Sequence, residues 1–365
     1  MHTRSRFRIR AAVSADRVLS LISATLIWIA VLAGPGLAGT QAQAATTVRV
    51  GIVNSSSDVG FFIAEKKGYF QQEEINVTFT PFDSAGKMVA PLGAGQLDVG
   101  GGSSSAALFN AAARGIPIKI VADKGSSPPG HGYAPLLVRK DLVTSGRVKS
   151  FRDLKGLKVA GGSPGTSPAA MLNEALKKGG LSFSDVTMVT MGFSQQVMAL
   201  QNKAIDASLT TEPSATMAVN SGVAVRFAGN DEFYPYHQVA VVLYGGDFIK
   251  DKPEVARKFM RAYVRAVRDY NDALKDGKLA GPKADEIIAI LTEFTNIKDP
   301  NIHRTIVPHG TNPDGKVNEA SLKKDFQFYK EQGLIEGNVG VEQVVDNSFV
   351  ETAVKDLGPY VQRSK

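Results

Sequence analysis

The 365-residue chain has no cysteine. That excludes thiolate catalysis, cysteine-ligated zinc, iron–sulfur clusters, disulfides and the lipobox cysteine of a lipid anchor. Histidine is scarce too: the five present show no metal-ligand spacing, so no metal is expected. No P-loop or dinucleotide fingerprint occurs, and no cofactor is expected. What the chain does have is 43% hydrophobic and 21% charged residues, which argues against bulk disorder. Its length predicts about two folding units with ample core.

The net charge of +7 invites a nucleic-acid partner, but its distribution removes that reading. Arg4, Arg6, Arg8, Arg10 and Arg17 stand in the first 17 residues against the single acid Asp16, so four of the seven net positive charges sit there. Residues 18–32 are almost wholly apolar, and Ala42-Gln43-Ala44 follows a Gly-Pro-Gly turn. A basic head, an apolar stretch and an A-x-A site predict a cleaved export signal over residues 1–44 and delivery to the periplasm. A membrane anchor would need about 20 apolar residues. The arginines never pair, which favours general export over the twin-arginine route. No basic block with interleaved aromatics remains afterwards, so nucleic acid is rejected as a partner.

Past residue 45 the pattern alternates strand and helix. Residues 48–53, 75–82, 97–99 and 116–121 read as strands, with helices at 61–74 and 106–114. The pattern then repeats, with strands at 157–160, 186–191 and 205–209 and helices at 169–178, 195–202 and 214–220. Val50 with Val159, Gly68 with Gly179, Phe82 with Phe193 and Asp98 with Asp206 recur at offsets of about 110 residues, too long for a solenoid. The expected fold is α/β: two lobes of one βα design, each a mostly parallel sheet flanked by helices. Two strand-like segments, 133–138 and 238–243, bracket the second lobe and predict a two-strand hinge. The lobes divide as residues 45–135, 136–238 and 239–365, the last part mostly helical. The helix after Pro253 carries Val255, Phe259, Ala262, Ala266 and Tyr270 on one face and arginines elsewhere, which predicts a solvated basic face.

Ligands of open α/β sheets bind outside the carboxyl ends of the strands. Here those ends carry Asn54-Ser55-Ser56-Ser57, Gly100 to Gly102 with Ser103-Ser104-Ser105, Gly165-Thr166-Ser167, and Thr210-Thr211-Glu212. Any single serine is explained by helix capping; four such ends together predict a cleft for an anionic group. Phe61, Phe82, Phe193 and His237 stand near the same ends, with Phe82 and Phe193 best placed to flank an organic ligand. Glu212 reads equally as a helix-start carboxylate or as a partner for a ligand amine. Gly161-Gly162-Ser163-Pro164-Gly165 matches the G-x-S-x-G elbow of a serine hydrolase, but Pro164 has no N–H to offer an oxyanion hole, so no enzyme is expected.

Several stretches carry a family resemblance: residues 61–70 (FFIAEKKGYF), 95–100 (GQLDVG), 153–159 (DLKGLKV), Ile205-Asp206-Ala207 with Glu212-Pro213, and 346–350 (DNSFV). Over nearly all of residues 46–358 the chain resembles periplasmic solute-binding proteins of the nitrate, sulfonate and taurine transport class. These share their fold with hydroxymethylpyrimidine-precursor proteins. The resemblance implies a type II-like, two-lobe, monomeric binding protein that closes on a small-molecule solute and delivers it to the inner-membrane permease of an ABC importer. It carries ligand contacts to Ser55, Ser56, Ser103, Ser104, Gly165, Thr166 and Glu212. Enzymes making the yeast pyrimidine precursor share the architecture but carry a cysteine-rich motif, which a chain without cysteine cannot supply. The solute class left open is a sulfonate, carboxylate or nitrate-like anion, with a pyrimidine or thiamine precursor as the alternative.

Overall fold

The computed structural model describes residues 45–161 and 164–362; the expected export signal and Ser163 lie outside them. β1 (Thr46–Ile52), β2 (Ile75–Pro81), β3 (Val99–Gly102) and β4 (Lys119–Ser127) build a first sheet. The chain then enters a second sheet of β5 (Leu136–Arg139), β6 (Lys158–Ala160), β7 (Thr187–Val189), β8 (Ala207–Leu209) and β9 (Ala224–Ala228), and returns through β10 (His237–Tyr244). The orders are β2-β1-β3-β10-β4 and β7-β6-β8-β5-β9, so one topology is used twice. In each sheet four strands are parallel and one is antiparallel. The segments expected to bracket the second lobe do so: β5 and β10 are the antiparallel strands, each entering its sheet directly after the fourth strand of the other.

The likeness of the halves extends to register. Val50 pairs with Val99 and Phe79; 109 residues later, Val159 pairs with Ala207 and Met188. Asp98 and Asp206 do the same work in each half. The Asp98 carboxylate accepts the Arg49 backbone N–H at 2.8 Å, and that of Asp206 accepts the Lys158 N–H at 2.9 Å. Their own N–H groups donate to the Arg49 and Lys158 carbonyls. A carboxylate stapling two neighbouring strand starts explains why this residue type recurs at the offset.

The helices that matter for the site are α1 (Val59–Lys66), α2 (Ala106–Ala113), α3 (Ser167–Lys178), α4 (Phe193–Gln201), α5 (Ser214–Asn220), α6 (Pro253–Asp272) and α7 (Glu319–Glu331). The helix expected from Phe61, ending near Gly68 or just beyond, stops at Lys66; Gly68, with a left-handed φ of 69°, then starts a separate turn at Tyr69–Gln72. Gly100 to Gly102, expected as a loop, form β3 itself. A Cβ at Gly101 would lie 2.5 Å from the Phe61 ring, and one at Gly102 would lie 2.4 Å from Ala85 Cβ. The glycines therefore let α1 and the segment after β2 close onto the strand. Phe61, fully buried against Phe259 and Tyr263, is part of that packing and contributes roughly 2–3 kcal/mol by burial.

On α6 the basic face is not merely solvated: Arg261 pairs with Glu73 and Asp356, Lys258 with Glu74, and Arg268 with Asp314. These contacts bind the C-terminal region to the first sheet. α7 straddles both halves, packing Phe326 edge-on against Phe109 and Phe328 near Phe183, and pairing Lys324 with Glu174 of α3. One apolar cluster accordingly runs from Met88, Phe109 and Leu243 through Tyr133 to Leu136, Val159 and Leu172.

The strand expected at 116–121 starts at Lys119 and runs on to Ser127, and both charged residues in its interior find partners: Lys124 pairs with Asp58, and Asp123 is held by neutral donors. Asp123 accepts from the Gly125 and Asn312 backbone N–H groups and from Gln238 Nε2. Burial nonetheless raises its carboxyl to about pH 6. A folded-state value above the unfolded one favours the folded state below pH 4, and this contribution fades as pH rises through 6. The melting temperature should therefore show a falling component between pH 4 and 6. Asp123→Asn should melt lower throughout, since its amide NH2 meets the Asn312 N–H, but with a flatter slope in that window. A slope unchanged in the variant would assign the effect elsewhere.

Candidate functional site

The carboxyl ends of β1, β3, β6 and β8 face one narrow cleft with a cavity volume of about 50 Å³. From the first half come Val53, Ser55, Ser57, Ser84, Ala85 and Ser103. The second half gives Thr166, Pro168, Met191, Phe193 and Thr211, while Tyr133, Val239 and Ala240 stand where the chain crosses. The surface is divided: hydroxyls cluster on the floor, and Met191, Phe193 and Pro168 form an apolar wall. Asp83 is at the rim, paired with Lys87 at 2.6 Å. Among the described residues no group of three or more His, Asp or Glu could hold a metal.

Each strand end is shaped by local rules. Ser55 starts a short helical turn, its Oγ accepting the Ser57 N–H at 3.4 Å while Asp58 returns a bond to the Ser55 N–H at 2.9 Å. Ser105 caps α2 by accepting the Leu108 N–H at 3.2 Å, which leaves Ser103 free of that task. Behind the floor, fully buried Lys124 lies 2.8 Å from Asp58 Oδ1 and donates to Ser57 Oγ at 2.8 Å. The Tyr133 hydroxyl lies beside Ser57 and makes no hydrogen bond of good geometry; neither does Thr211 Oγ1. Burial pushes the Tyr133 hydroxyl well above its ordinary value, so it stays an O–H donor. Among the described residues, these two buried hydroxyls at the cleft lining keep hydrogen-bonding capacity that the protein leaves unused.

Of the residues expected at the site, the cleft gathers Ser55, Ser103, Thr166 and Phe193. Ser56, Ser104 and Ser167 are buried behind the lining. Ser56 donates its N–H to the Glu212 carbonyl, and Tyr329 donates to the Ser104 carbonyl at 3.5 Å. Gly165 is a contact between the halves: its carbonyl accepts the Ala106 N–H at 2.8 Å, and Ser105 and Thr166 form a bridge. Phe82 is half-buried beside Gly51, and Phe61 is in the core behind β3.

Glu212 does not line the cleft. Its carboxylate pairs with Arg226 and accepts the Thr216 N–H at 2.8 Å, the helix-start role at α5, and the Val307 N–H at 3.3 Å. Burial raises its carboxyl against the lowering effect of Arg226. His237 is fully buried, stacked on Tyr234 at 4.0 Å and bonded through Nε2 to Asp325 at 2.9 Å. That bond fixes the chain where it crosses.

Missed from the sequence were Lys124 and the wall residues Met191, Pro168, Val239 and Ala240. The available signal for Lys124 was a lone Asp-Lys pair interrupting an apolar strand. Gly165 sits at φ 68°, and an added Cβ would lie 2.8 Å from Ala106 Cβ. Gly165→Ala should therefore loosen the edge where the halves meet. Faster hydrogen exchange at the Ala106 amide and a larger radius of gyration would show it; unchanged exchange would mean the contact carries no closure energy.

The comparisons agree with this architecture. Against a candidate binding protein of Brucella abortus (strain 2308) the chain is 28% identical over 213 residues, 58% of this chain and 62% of that one. A 4-amino-5-hydroxymethyl-2-methylpyrimidine phosphate synthase of Saccharomyces cerevisiae is 27% identical over 224 residues, with the same coverages. The chain thus spans less than two thirds of the length of these curated relatives. Among solved structures, the nitrate-binding NrtA of Synechocystis PCC 6803 superposes with a TM-score of 0.70 at 16% identity, covering 86% of this chain and 89% of that one. The alkanesulfonate-binding SsuA of Xanthomonas axonopodis pv. citri, bound to MOPS, gives 0.64 at 19%, covering 82% and 98%. These place the fold among periplasmic binding proteins. Residues 55–274 match the family described as NMT1/THI5 like, and with more than half of its length matched, the chain belongs to that family.

Proposed function

We infer that this protein is the periplasmic substrate-binding component of an ABC importer, exported by a signal in residues 1–44 and acting as a monomer without catalysis. Its solute is a small organic anion, a sulfonate, a carboxylate or a nitrate-like group. Residues 45–135 and 239–365 form one lobe and 136–238 the other, with the solute caught as they close. One observation carries the reading: hydroxyls from both sheets and from the crossing meet an apolar wall in one cleft, and among the described residues two of those hydroxyls make no hydrogen bond of good geometry. An anion's oxygens satisfy such donors, while Phe193 and Met191 cover an organic tail. Bound solute stabilises the closed form by its differential affinity for closed over open. A permease then recognises that form.

The yeast relatives give a pyrimidine precursor as the second reading. A thermal-shift panel of alkanesulfonates, aromatic and aliphatic carboxylates, nitrate and pyrimidines separates the two. At 100-fold saturation the true class should add about 2.7 kcal/mol of stability, several degrees in melting temperature. A rise with pyrimidines alone would replace the anion reading, and no rise with any class would sink it. Phe193→Ala should weaken an organic solute roughly tenfold, in line with about 1–2 kcal/mol for a lost aromatic wall. Calorimetry reads this directly, and equal affinity would remove Phe193 from the site.

A further inference from the structure

Lys124 does not touch the cleft, yet it is the one group that fixes the direction of hydrogen bonding along the floor. An ammonium only donates. At 2.8 Å, Ser57 Oγ must accept from it, so the Ser57 hydrogen is turned away from Lys124; Ser55 Oγ at 3.3 Å takes it in the geometry seen, and passing it to the neighbouring Tyr133 hydroxyl instead would equally leave an O–H donor at the cleft. Ser55 Oγ thereby accepts from both the Ser57 hydroxyl and the Ser57 N–H. Among the described residues no hydrogen bond donated by Ser55 Oγ is seen, and Ser55 lines the cleft. Asp58 holds Lys124 in place and cancels its charge while also accepting the Ser55 N–H. Burial of all four groups keeps water from reversing the chain of bonds.

We propose that Lys124 is a positioning residue that sets the specificity of the cleft. Through Ser57 and Ser55 it makes the floor a set of O–H donors, so the site takes a guest with acceptor oxygens and rejects one that presents N–H donors. This rests on the anion reading above and deepens it. Because Asp58 neutralises the ammonium, the selection acts through hydrogen-bond polarity and not through net positive charge. The Tyr133 hydroxyl beside Ser57 and the Thr211 hydroxyl extend the donor set from the crossing and from the second sheet.

Two measurements test it. The first is calorimetry on the wild type and on the Asp58→Asn/Lys124→Met double variant, which removes both buried charges together. The probes are 1-hexanesulfonate and its uncharged analogue 1-hexanesulfonamide. The wild type should prefer the sulfonate at least tenfold. The double variant should lose tenfold or more for the sulfonate and stay within threefold for the sulfonamide. Equal losses for both probes, or undiminished sulfonate binding, would overturn the proposal. The second needs neither a variant nor a guest: neutron diffraction of the wild type should show three hydrogens on Lys124 Nζ and the Ser57 hydrogen directed at Ser55. A Ser57 hydrogen turned towards the cleft, or a neutral Lys124, would end it. Failure of every anion to bind the wild type would instead discard the solute reading, with the neutron result still deciding the relay.

Discussion

The structure depends on an exchange of strands. Each sheet completes itself with an antiparallel strand that arrives directly from the other, β5 after β4 and β10 after β9. Two crossings fix which ends of the sheets can meet. With parallel strands on either side, the loops that meet are those at the carboxyl ends. That constraint, more than any single contact, turns four small polar strand ends into one cleft. Tyr234, His237 and Asp325 anchor one crossing, and the Ala134 N–H, bonded to the Asn230 side chain at 3.0 Å, ties the two crossings together.

Packing then decides what the cleft can hold. Gly101 and Gly102 have no room for a Cβ, so α1 and the segment after β2 sit hard against β3. This brings Ser55 and Ser57 over Lys124. The sheet interior could tolerate that lysine only with a carboxylate beside it, since an unpaired buried charge costs several kcal/mol. Stability and recognition are therefore coupled at one point, where the Asp58–Lys124 pair lies under the serine floor. In contrast, Glu212 and Arg226 form a pair whose partners are backbone groups and a helix start, and that pair serves architecture.

The contacts between the halves are of two kinds. Near the cleft they are single hydrogen bonds, such as Ala106 to Gly165 and Ser56 to Glu212. At the side held by α7 they are aromatic and ionic, with Phe328 against Phe183 and Lys324 on Glu174.

The sequence by itself determined the α/β class, the doubling and the strand ends that carry chemistry. Those follow from local rules: alternation of apolar residues, glycine and serine at turns, and a carboxylate at a strand start that recurs because the same staple is built twice. Ser55, Ser103, Thr166 and Phe193 were legible for that reason. Only the tertiary structure decided that Phe61 faces α6, that Glu212 and His237 are spent on internal partners, and that Gly165 joins the halves. Those outcomes depend on which buried group finds its partner across 14 to about 200 residues of chain, a matter of three-dimensional satisfaction that no local pattern encodes. Lys124 shows the difference most plainly: in the sequence it interrupts a strand, and in the fold it stands behind the serine floor of the cleft.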